Sequence, residues 1–140
     1  MKTLTLERTL TELDHVRLTN LIQRQKGAQP VLSAPLPIED VLDQADVVPS
    51  REMAPDIVTM YSRVQLEDVH SGAHSELTLC YPADADAGAG FVSVLSPIGL
   101  SLLGQRAGSV VRWPTPAGGE LAAVIVAILF QPESSGDFVM

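Results

Sequence analysis

Two hydrophobic rhythms divide the chain. Before about residue 50 apolar positions recur every three or four residues, and after residue 55 they alternate. Leu13, Leu18, Leu21 and Ile22 share one broad helical face, with Thr11 and Asp14 resembling a capping box at its start and Gly27 ending it. Residues 27–37 hold Pro30, Pro35 and Pro37 and are expected to form a loop. Ile38, Val41, Leu42 and Ala45 then repeat at i, i+3, i+4 and i+7, predicting a second helix that Pro49 closes. Two amphipathic helices joined by a loop are expected to fold back as an antiparallel pair. Ahead of them, residues 3–6 alternate as a short edge strand would.

Residues 57–66 and 76–81 read as strands separated by a turn-rich segment at 68–74. Residues 91–95, 110–113 and 121–130 bring the total to about five strands. Between the last three lies one short helix. Ser96 can cap its first turn, Pro97 suits the first helical position, Leu100 and Leu103 follow at helical spacing, and Gly104 and Gly108 bracket the exit. A sheet with one short helix among its strands is antiparallel or mixed and belongs to the α+β class. The expected division is a helical hairpin over residues 1–52 and a sheet domain over 53–140.

Composition narrows the function classes. The 140 residues allow one domain with a small appendage, and a 46% hydrophobic content argues against disorder. The net charge is −8, and residues 51–140 alone carry 4 basic and 10 acidic groups. Such a field repels phosphate backbones, so no direct nucleic-acid binding is expected, and a basic protein surface suits it better. The longest apolar run, 121–130, has ten residues where a spanning helix needs about 20, so it reads as a buried strand. No membrane association is expected. Scattered charges and no apolar core before residue 15 are unlike a signal peptide. A single cysteine, Cys80, excludes an internal disulfide and fits a reducing compartment, so the expected location is the cytoplasm.

Individual candidates for chemistry mostly read as structural. His70 and His74 bracket a turn without a third ligand and are expected in a solvated hairpin. Cys80 lies within a strand, with no activating base placed by sequence. The 87–90 run, Ala-Gly-Ala-Gly, has no helix after it and reads as a hairpin turn, not a phosphate cradle, with Asp84 and Asp86 as solvated turn residues. Arg17 and Arg24, two helical turns apart, could meet acids on a partner, but a solvated face is the stronger reading. Glu39, Asp40 and Asp43 suit the positive end of the second helix. No cofactor, metal or catalytic residue is expected.

The segment SPIGLSLLGQRAG at 96–108, between two strands and followed by Pro114, Pro116, Gly118 and Gly119, resembles the C-terminal domain of the Gre-type transcription factors. A second block is similar to a short-armed branch of that family, the regulators of nucleoside diphosphate kinase. It comprises Leu42, Asp43, Ala45, Val47 and Val48, then Met53, Asp56, Val58, Thr59, Met60, Ser62, Arg63 and Val64, with Tyr81-Pro82, Phe130-Gln131-Pro132 and Gly136-Asp137 further on. The resemblance covers residues 42–140 well and the first forty only loosely. It implies an FK-binding-protein-like sheet domain carrying a short helical arm, and docking on RNA polymerase at the rim of its secondary channel. It maps Ser96, Pro97, Ile98 and Gly99 onto the polymerase-contacting surface, although the same residues also make a capped connection that the fold needs; Leu102 and Leu103 read as core. In Gre factors two acids at the arm tip hold a catalytic metal, whereas residues 27–37 contain no Asp or Glu. The resemblance therefore implies a non-enzymatic regulator that competes with Gre factors and influences nucleoside diphosphate kinase level. Two alternatives are a peptidyl-prolyl isomerase, by fold analogy, and direct contact with the kinase.

Overall fold

The computed structural model describes residues 8–28, 37–115 and 117–136. The elements run β1 (Thr9–Thr11), α1 (Glu12–Ala28), α2 (Pro37–Gln44), β2 (Asp46–Val48), β3 (Arg63–Asp68), β4 (His74–Cys80), β5 (Phe91–Ser93), α3 (Pro97–Leu102), β6 (Val110–Pro114) and β7 (Glu120–Phe130). β5-β4-β3-β7-β6 form a mixed five-stranded sheet in which only β4 and β5 are parallel. β1 and β2 make a separate parallel pair. The α+β class and the mixed sheet are as expected.

α1 starts as its sequence suggests, with the Thr11 hydroxyl accepting from the Asp14 amide at 3.0 Å. The reciprocal half of the capping box does not form. The Asp14 carboxylate instead accepts from the Met60 amide at 3.1 Å, tying the helix to the segment before β3. Leu18 and Ile22 of α1 and Ile38 and Leu42 of α2 are buried in the same apolar cluster as Val58, Met60 and Val64 and sheet residues such as Leu79 and Ile125. One core therefore serves both the helices and the sheet.

Four local expectations are corrected. The second helix stops at Gln44, before Pro49, because Val47 and Val48 pair with β1. Residues 57–66 are not one strand: the hydroxyl of Ser62 accepts from the Thr59 amide at 2.8 Å, and Tyr61 adopts φ 66°. The chain turns there, and Ile57 keeps only an isolated bridge to Arg106. Residues 87–90 do turn the chain back, between Asp86 and Phe91, which form an isolated antiparallel bridge, but the turn lies within the crossover between the parallel strands β4 and β5 and joins no two strands of the sheet. β7 is buried at Ala122, Ala123 and Ile125, but Leu121, Val126, Leu129 and Phe130 are 39–45% exposed. Its neighbours β3 and β6 satisfy its edges without covering both faces. The edge strand expected at residues 3–6, most of the loop at 27–37 and Asp137 lie outside the described residues.

The segment between β2 and β3 is held by buried amides. Gln131 Nε2 donates to the carbonyls of Ala54 at 2.8 Å and Ile57 at 2.7 Å, and the Val58 amide donates to the Gln105 carbonyl at 2.8 Å. The residues just after β7 thus clamp the approach to β3.

Candidate docking surface

β5 ends in a turn built from two serines. The Leu95 amide donates to Ser93 Oγ at 3.0 Å, while the Ser96 amide and hydroxyl both donate to the Ser93 carbonyl, at 3.0 and 2.6 Å. Ser96 then caps α3, its Oγ accepting from the Gly99 amide at 3.1 Å. Pro97 fills the first helical position, where no amide is missed. Gly99 is buried against the turn, and a Cβ there would stand 2.0 Å from the Ser93 carbonyl oxygen. No side chain fits that approach.

The four residues assigned to the surface therefore have different roles. Ser96 and Gly99 build the turn; Pro97 is exposed, and Ile98 is half-buried with its inner side on the core. Leu102 and Leu103 are fully buried, as expected. Beyond α3 the chain turns at Gly104, φ +77°, whose amide donates to the Val58 carbonyl and whose carbonyl accepts from the Thr9 amide.

Beside Pro97 runs a groove of about 330 Å³, floored by Val41, Leu95, Leu100 and Pro114 and rimmed by Arg8 and Arg112. Arg8 Nη1 donates to the carbonyls of Leu100 at 2.6 Å and Leu103 at 3.1 Å, at the end of α3 where a cation is favoured. Burial lowers its affinity for its proton. Sequence reasoning missed this groove, whose walls come from α2, α3 and β6. No local motif marks a surface assembled from parts so distant in the chain.

The other singled-out residues are placed as follows. His70 is exposed in the β3–β4 turn, where Asp68 accepts from the His70 and Ser71 amides at 2.8 and 2.9 Å; His74 lies 3.5 Å from Glu67 across the strands. Among the described residues no group of three metal-ligating side chains converges. Cys80 is buried, its thiol donates to the Val92 carbonyl at 3.4 Å, and burial pushes its pKa up, so it packs as expected. Asp84 is not simply solvated, since it accepts from the Tyr61 hydroxyl at 2.5 Å. Among the described residues no helix is long and apolar enough to cross a membrane.

Comparison with known proteins agrees with this architecture. A family model described as transcription elongation factor GreA/GreB, C-terminal, matches residues 53–130. The Escherichia coli K12 regulator of nucleoside diphosphate kinase is 34% identical over 135 residues, spanning 94% of this chain and 95% of that protein. GreA of Nitratidesulfovibrio vulgaris is 32% identical over 94 residues, 67% of this chain but only 58% of that protein. A GreA/GreB elongation factor structure from Nitrosomonas europaea superposes with a TM-score of 0.71 at 34% identity, covering 90% of this chain and 100% of its own. Shared sequence along nearly the whole chain, and a shared fold, place it in the GreA/GreB family, alongside the regulators of nucleoside diphosphate kinase.

Proposed function

We propose that this chain is a non-catalytic transcription regulator that docks on RNA polymerase at the rim of the secondary channel. The observation that carries the reading is the Ser96 turn, which presents an exposed Pro97 and the outer side of Ile98 beside an apolar groove. A proline fixed at a helix start loses little entropy on binding, so even a small contact is efficient. The acidic balance of residues 51–140 favours a basic partner surface over nucleic acid.

The arm belongs to residues 1–52 and the docking domain, FK-binding-protein-like in this reading, to 53–140. α1 has 17 residues, about 25 Å at 1.5 Å per residue, and the tip sequence 27–37 carries no carboxylate to hold a metal. The chain then occupies the polymerase rim in the cytoplasm without stimulating RNA cleavage, and affects nucleoside diphosphate kinase through expression. The deciding test is polymerase affinity of Pro97→Glu, with circular dichroism to verify the fold. Binding at least tenfold weaker supports the surface; unchanged binding by a folded variant refutes it.

A further inference from the structure

The face of α1 that carries Arg17, Asn20, Leu21 and Arg24 does not simply meet solvent. It forms one wall of a cleft of about 630 Å³ whose other wall holds Tyr61, Tyr81 and Pro82. The helical repeat sets the two arginine Cα atoms about 10 Å apart, so side chains of that length can converge on one polyanion. Across from them the tyrosine rings pack with centroids 5.7 Å apart and planes tilted by 59°. The aromatic pair is a product of the fold, because Tyr61 is held by the left-handed turn before β3 and Tyr81 follows β4.

The polar groups also suit an anion. The Tyr81 hydroxyl is fully buried, and Arg17 lies close enough for its charge and its side-chain hydrogen bonding to act on it. Burial raises the pKa of Tyr81, and burial with the Asp84 carboxylate raises that of Tyr61 to about 12, so both stay neutral at pH 7; the Tyr61 hydroxyl is spent on Asp84, and that residue offers the cleft its ring. The Arg17 charge also reaches the buried Asp14, and Asp84 accepts from the Tyr61 hydroxyl. The cleft thus pairs two guanidinium groups with an aromatic and aliphatic floor, on a molecule whose net charge is −8.

We infer that this cleft binds a nucleoside 5′-diphosphate or triphosphate, with the phosphates on Arg17 and Arg24 and the base against Tyr61, Tyr81 and Leu21. The volume lies within the usual range for small-ligand sites, about 300–1,000 Å³, and Asn20 supplies an amide for the edge of the base. The site is distinct from the Pro97 groove, so the inference stands apart from polymerase docking.

The test is titration calorimetry on the purified full chain in magnesium-free buffer with ADP, GDP, adenosine and pyrophosphate. A nucleoside diphosphate should bind at least tenfold more tightly than either fragment. Arg24→Ala, on the exposed helix surface, should weaken it about tenfold or more, since charge-assisted hydrogen bonds are lost. Tyr81→Phe should weaken it several-fold with the thermal midpoint preserved, and Arg63→Ala, on the sheet beside Glu76, should leave it unchanged. Absence of binding at millimolar nucleotide, or binding indifferent to Arg24→Ala, would overturn the inference. So would pyrophosphate matching ADP.

Discussion

At Gly99 the fold leaves no space for a methyl group, because a Cβ would be 2.0 Å from the Ser93 carbonyl oxygen. Gly99→Ala should therefore destabilise the chain by about 3 kcal/mol, measured by urea denaturation. Two positions earlier, exposed Pro97 should accept glutamate within about 0.5 kcal/mol, so that any loss of polymerase binding is separable from loss of fold. Asp14 poses a different problem. It is 1% exposed, and burial, reinforced by the negative charge of Glu133, raises its pKa from 3.8 to about 7 against the pull of the Met60 amide. The folded chain holds this proton in a pH range where the unfolded chain has released it. Its contribution is full below the unfolded pKa and is lost as pH rises through about 7. Asp14→Asn keeps an acceptor for Met60 and removes the titration. The wild type should lose stability relative to this variant between pH 5 and 8, by an amount on the order of 2–4 kcal/mol. Parallel stability curves would contradict that account of the carboxyl group.

Among the elements, the segment before β3 is held less by its own pattern than by Gln131. Gln131→Ala would take the Gln131 amide from the Ile57 carbonyl and leave the Ala54 carbonyl only its 3.4 Å bond from the Ile57 amide, and should cost about 3 kcal/mol in the same denaturation measurement. The same segment shows where sequence reading stopped. Alternation at 57–66 suggested one strand, but the Ser62 hydroxyl captures the Thr59 amide, the Ser62 amide donates to the Thr59 carbonyl, and the chain turns at Tyr61. β1 and β2 were equally illegible as strands, since each is three residues long and their pairing joins parts of the chain over thirty residues apart. By contrast β4, β6, β7 and the capped α3 were legible because alternation, Ser96-Pro97 and the glycines act locally. The Ser96 turn could be read from its residues, but the groove beside it could not. Nor could the meeting of Tyr61 with Tyr81, which the aromatics' scatter along the sequence concealed.

For the whole molecule, one core joins the short helices to the sheet, and the Ser96 turn links β5 to α3 beside it. A GreA relative matches over only 58% of its length, while a regulator of nucleoside diphosphate kinase matches over 95% of its own. A family member with an acid-free tip should occupy the site of the long-armed factors without their chemistry. RNA cleavage in stalled elongation complexes measures both halves of this claim at once. The purified chain alone should give no stimulation, and its titration should suppress cleavage driven by a Gre factor, with Pro97→Glu shifting the inhibition at least tenfold to higher concentration. Stimulated cleavage by the chain itself, or undiminished Gre-driven cleavage at large excess, would contradict it.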